Sequence, residues 1–171
     1  MKLELKNIKH TAWASEETHC YQASLYVNGK PVAIVSNDGH GGPDRVIPHG
    51  KFSPQLHNYT DAGGDYRSVM SAVDAHFKSL PRTDACEWMP EGMEQSLEFW
   101  CADQINDWLT AREFKRKLSN KTLFQKEGRA GIFGTKHYLT RTSTQGRWSN
   151  GIRILNDLPF DEALAIWKET A

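Results

Sequence analysis

The residues best suited to chemistry gather in the first third of the chain. Asp38, His40, Asp44, His49 and His57 fall between positions 38 and 57. Neutral imidazole and carboxylate are good ligands for zinc, iron or manganese. Metal centres usually draw on tight pairs, such as two histidines four apart on a helix, and this stretch has none. The spacing therefore predicts no metal and no cofactor. Imidazole also titrates near neutral pH, which makes His40 and His49 acid–base candidates for a small hydrolase or transferase built on the 38–57 loop. That chemistry requires the two rings to converge in one pocket.

The same loop reads Ser36-Asn37-Asp38-Gly39-His40-Gly41-Gly42-Pro43-Asp44. Glycines open backbone conformations closed to other residues, and successive amides in such a loop can form a concave anion site. The stretch matches neither Gly-x-x-x-x-Gly-Lys-Ser/Thr nor Gly-x-Gly-x-x-Gly. A tight, exposed reversal of the chain is the first expectation, and an anion or ligand site the second.

Nucleophilic chemistry has weaker support. Cys20 follows His19, but neighbours on a strand point to opposite faces and do not pair. Cys101 falls on the apolar stripe of a helix, where a buried structural thiol is expected. His76 also lies on an apolar face and reads as a core histidine. No Gly-x-Ser-x-Gly elbow occurs. Cys20, Cys86 and Cys101 are odd in number and follow no metal or redox spacing, so they read as free thiols of a reducing compartment. The N-terminal Met-Lys-Leu-Glu-Leu-Lys lacks the apolar run of a signal peptide, and no stretch approaches a membrane span. The expectation is a soluble, cytoplasmic protein with no membrane partner.

Charge is distributed unevenly beneath a balanced total of 21 basic and 21 acidic residues. Residues 84–107 hold seven acids and no Lys or Arg, a charge of −7. Residues 112–153 hold eleven bases and two acids, a charge of +9. The bases are Arg112, Lys115, Arg116, Lys117, Lys121, Lys126, Arg129, Lys136, Arg141, Arg147 and Arg153, interleaved with aromatics that include Phe124, Phe133, Tyr138 and Trp148. Basic and aromatic groups together suit phosphate tracking and base stacking. The first functional expectation is thus a non-enzymatic protein that contacts nucleic acid or another polyanion through residues 112–153. Acids early and bases late on one helix also complement its macrodipole, which accounts for the charges only as far as Lys117.

A second expectation is a protein-interaction module, such as a small regulator or inhibitor, using the acidic 84–107 segment. Trp88, in a connector off both helical stripes, is its expected exposed anchor. In overall style the chain is similar to small accessory proteins of bacteria and their phages.

The elements that must position these residues follow from periodicity. Leu3, Leu5 and Ile8 fit one face of a strand. Residues 20–27 and 31–35 are strand-like runs around Asn28-Gly29, the strongest short hairpin signal. Residues 12–19 and 36–64 read as loops, the latter with a short strand near Val46 and Ile47. A helix over 66–80 carries Tyr66, Val69, Val73, His76, Phe77 and Leu80 on one face and stops before Pro81. A second helix runs over 93–118 with Leu97, Trp100, Cys101, Ile105, Trp108 and Leu109 inward.

Short strands follow at 122–124, 132–133, 136–142 and 151–155, then a closing helix over 160–169. Within 136–142, alternation puts Lys136 and Tyr138 on the solvent face and Leu139 inward. The expected fold is α+β: an N-terminal antiparallel β-hairpin sheet, two amphipathic helices, and a C-terminal β-rich basic unit with a closing helix, forming one domain over 1–171.

Overall fold

The computed structural model describes residues 1–50, 60–61, 64–85, 87–135 and 151–170. The protein is of mixed α+β class, with antiparallel sheets and, among the described residues, three α-helices. It divides into two compact units, Met1–Ile105 and Asn106–Ala171. No helix among the described residues is long and apolar enough to cross a membrane.

The first unit is built on a four-stranded antiparallel sheet in the order β1 (Leu3–His10), β2 (Tyr21–Val27), β3 (Lys30–Asn37), β4 (Arg45–Pro48). β2 buries Tyr21, Ala23, Leu25 and Val27, every second residue, so one sheet face is core. Asn28 (φ 50) and Gly29 (φ 83) turn β2 into β3 in the left-handed conformation that a two-residue hairpin needs. β1 half-buries Leu3, Leu5 and Ile8 together, which requires its alternation to change phase part-way along. The β1–β2 register shifts between Lys6 and Lys9, and Asn7 adopts φ 55. This bulge moves Ile8 and His10 into half-buried positions, whereas unbroken alternation from Leu3 and Leu5 would have exposed Ile8. The loop expected over 12–19 contains a short 3-10 turn, Ala12–Ala14. The strand expected near Val46 and Ile47 is β4.

Two short strands, β5 (Thr60–Asp61) and β6 (Gly64–Asp65), pair with each other before helix α1 (Tyr66–Lys78). α1 ends earlier than its apolar stripe predicts. The amides of Ser79 and Leu80 close the last turn on the carbonyls of Ala75, His76 and Phe77, which leaves Leu80 exposed. Val73 and Phe77 are its buried residues. Helix α2 (Leu97–Asn120) starts four residues later than the expected Met93. Met93 is held instead by Thr83: its amide donates to Thr83 Oγ1 (2.8 Å) and its carbonyl accepts from the Thr83 amide (2.9 Å). Cys101 and Ile105 from α2 are fully buried, as the stripe predicts.

The second unit takes in the rest of α2, strands β7 (Lys121–Lys126), β8 (Arg129–Thr135) and β9 (Ile152–Ile154) in the order β8-β7-β9, and helix α3 (Phe160–Thr170). The strands expected at 122–124 and 132–133 are real but longer, and they join as a hairpin through Glu127 (φ 51) and Gly128 (φ 76). Phe114, Leu123, Leu155 and Ala163 form the core, with Leu118, Leu158, Leu164, Ile166 and Trp167 packed on it. The Phe114 ring lies 5.7 Å from those of Phe160 and Trp167. Asn156 ties this unit together. Its Oδ1 accepts from the Leu123 amide (2.7 Å), and its Nδ2 donates to the carbonyls of Lys121 (2.9 Å) and Leu118 (3.2 Å).

Candidate functional site

The glycine loop of the first unit is organised around the Gly39 carbonyl and the Asn37 side chain. Gly39 O accepts from the amides of Glu16 (3.0 Å), Glu17 (2.9 Å) and Thr18 (3.3 Å). Asn37 Oδ1 accepts from the Gly39 amide (2.9 Å) and from Thr18 Oγ1 (2.7 Å), and its Nδ2 donates to Gly42 O (2.9 Å) and Asp44 Oδ1 (3.0 Å). The Gly41 amide donates to Thr18 Oγ1 (3.3 Å) and the His40 amide to Asp38 Oδ1 (3.4 Å). The amides of Gly39, His40 and Gly41 are therefore engaged inside the loop, and Glu16, Glu17, Asp38 and Asp44 are all acidic. Gly39 has φ +92, and a Cβ there would meet the Ala14 carbonyl oxygen at 2.0 Å. These glycines allow close packing of chain on chain.

A half-buried polar cluster lies beside this loop. The Tyr21 hydroxyl donates to Asp44 Oδ2, and burial together with that carboxylate pushes the Tyr21 pKa well above the ordinary phenol value. Burial, with Asp44 nearby, likewise pushes the Cys101 thiol up to about 12. A thiol so protonated is a poor nucleophile. Ser15 is no better. Its hydroxyl donates to Thr11 O (2.9 Å) while accepting from the Cys20 amide (2.9 Å), with His10 Nε2 at 3.3 Å. Sequence reasoning passed over Tyr21, Asn37 and Thr18. The available signal was the β2 alternation, which aims a tyrosine inward where its hydroxyl needs a partner.

The acid–base candidates are not brought together. His40 is exposed and pairs with Glu16 (3.2 Å) on the glycine loop, before β4. His49 follows β4, its amide bonded to Val32 O (2.9 Å), and its buried Nδ1 has no partner among the described residues. They lie beyond opposite ends of β4, whose four residues span roughly 13 Å of extended chain. No group of three or more metal-binding side chains occurs among the described residues, and His57 lies outside them. An open cleft of about 440 Å³ borders the loop, lined by Ser36, Asn37, Asp38, Gly42, Pro43 and Arg45. It contains neither histidine.

The acidic connector of the first unit displays Trp88 at 84% exposure, as its position off both helical stripes predicts. Arg82 spans the base of this turn, donating to Glu91 O (2.9 Å) and Gly92 O (2.8 Å) and pairing with Glu94 (3.2 Å).

In the second unit the basic residues fall into two groups. Some are partnered. Lys117 bonds Glu113 (2.9 Å), holding that carboxyl below the usual carboxylate range, and lies 4.8 Å over the Trp167 ring. Lys126 sits 3.8 Å from Glu127, and Arg153 pairs with Glu162. The others are more open. Arg112, Lys115 and Arg116 are exposed on α2, with Arg112 stacked 5.2 Å over Trp108. Lys121 and Arg129 are exposed on β7 and β8. Lys115, Lys121 and Arg129 make no ion pair among the described residues. Cross-strand pairing puts Phe124 opposite Gly131, and its ring covers the glycine. Lys126 and Arg129 share that sheet face one step further along. Lys136, Tyr138, Arg141, Arg147 and Trp148, with the strand expected over 136–142, lie outside the described residues.

No family model, curated protein or solved structure matches the chain.

Proposed function

We propose that this is a non-catalytic binding protein whose second unit engages a polyanion, nucleic acid in the first place. The observation that carries the reading is the exposed face of α2. Arg112, Lys115 and Arg116 stand at i, i+3 and i+4, so they are neighbours on one side of the helix. Lys121 continues the basic run where the helix gives way to β7. Phe124, laid on Gly131 beside Lys126 and Arg129, adds the aromatic and cationic chemistry that suits a single strand.

Binding of this kind displaces condensed counterions, so affinity falls steeply as salt rises. Fluorescence anisotropy with a labelled oligonucleotide reads that slope directly. The Lys115→Ala/Arg116→Ala double variant should weaken binding and flatten the slope by about 1 for each phosphate no longer neutralised. An affinity that stays constant between about 50 and 200 mM salt would remove the proposal.

A second reading, protein docking on the first unit, is favoured by one observation, the exposed Trp88 ring on a hydrogen-bonded turn.

A further inference from the structure

A tryptophan in water gives up burial of about 150–250 Å² of ring surface. On a loose loop this would mean little. The turn that carries Trp88 is braced. The Gly92 amide donates to Met89 O (2.9 Å), Thr83 and Met93 exchange two hydrogen bonds, and Arg82 ties down the carbonyls of Glu91 and Gly92. Gly92 has φ +66, and a Cβ there would meet Thr83 O at 2.0 Å, so close packing sets the shape of the turn. The backbone beneath the ring is thus ordered before any partner arrives, which lowers the entropic cost of docking.

The surroundings specify the partner. Glu87 and Glu91 flank Trp88 and Met89, and all four are exposed. Arg82 at the base of the turn pairs with Glu94, and neither Glu87 nor Glu91 has an ion-pair partner among the described residues. An aromatic face among carboxylates suits a guanidinium, which stacks on the ring while its N–H groups reach the acids. The same sequence supplies such a surface in the Arg112, Lys115 and Arg116 face of α2.

We propose that the Trp88 turn docks the Arg112, Lys115 and Arg116 face of a second copy of this chain. The inference is independent of the polyanion reading and adds a consequence to it. A second copy and an external polyanion would compete for the same three side chains. If each copy both gives and receives, the contact closes as a two-fold dimer; if not, association continues with concentration.

Sedimentation velocity on the purified chain, without nucleic acid, tests this. The wild type should associate at about 0.02 M salt, where exposed charges act over long distances, and be monomeric at about 0.5 M, where they are screened. Trp88→Ala, Glu87→Lys/Glu91→Lys and Lys115→Glu/Arg116→Glu should each be monomeric at both, with the circular dichroism of the wild type. Mixing the two charge-reversed variants should restore association, a result that misfolding cannot produce. A wild type that is monomeric at low salt would overturn the proposal, as would association indifferent to charge reversal. A monomer whose tryptophan fluorescence responds to an arginine-rich peptide, with the response lost in Trp88→Ala, would overturn the second copy as occupant and assign the turn to a cationic segment of another protein.

Discussion

Single side chains in this protein are set by what surrounds them, and two of them make that measurable. With its pKa pushed up to about 12, Cys101 is almost entirely thiol at neutral pH. Thiolate is the reactive form, so alkylation at pH 8 followed by peptide mapping should leave Cys101 unmodified in the native protein and modified once it is unfolded. The shift also links stability to pH. The folded value lies above the unfolded 9.0, so the contribution is complete below about pH 9 and disappears as pH rises towards 12. Thermal melts should therefore weaken through that window, and Cys101→Ala should flatten the alkaline fall. Thr122 gives the opposite case. It is 1% exposed, and its Oγ1 has no partner among the described residues. A buried hydroxyl without a hydrogen bond costs about 1–3 kcal/mol, so Thr122→Val should raise stability by about 1 kcal/mol in urea denaturation. A loss of stability would show that the hydroxyl is bonded.

At the scale of the elements, local signals were legible and long-range ones were not. Asn28-Gly29 announces its hairpin because few other residue pairs tolerate two positive φ values in succession. The β1 bulge was missed because alternation assumes an unbroken ladder, although an asparagine at the break was a hint. The early start given to α2 came from an apolar residue, Met93, that is held by Thr83 ten positions away. The Asn37, Asp44 and Tyr21 cluster joins residues up to 23 apart, a relation no periodicity carries. Exposure of Trp88 was readable because it falls off both helical stripes. The two kinds of glycine can be separated by experiment. Gly29 has φ +83 with open space around it, so Gly29→Ala should cost about 1 kcal/mol, a backbone effect alone. Gly39 has φ +92 and the Ala14 carbonyl in the way, so Gly39→Ala should cost more than about 2 kcal/mol. Equal losses in matched denaturation curves would contradict the distinction.

Across the whole molecule, one continuous helix serves two cores. α2 contributes Cys101 and Ile105 to the buried residues of the first unit and Phe114 to the core of the second. The sequence led us to expect one domain, since no linker interrupts it. A variant that weakens the core of the second unit alone tests that expectation. Phe114→Ala should cost about 3–5 kcal/mol. Hydrogen exchange should then show β7 and β9 losing protection while β2 and β3 keep theirs. Equal loss in all four strands would show that the chain unfolds as one body. Asn156 bears on the order in which the second unit is made. It satisfies the Leu123 amide across 33 residues of sequence and binds two carbonyls at the junction of α2 and β7. In a chain emerging from the ribosome, helix α2 and the β7–β8 hairpin are complete well before residue 156 appears. Until it does, the start of β7 lacks its latch, and the nascent hairpin presents an unpaired strand edge to any chaperone or neighbouring chain it meets.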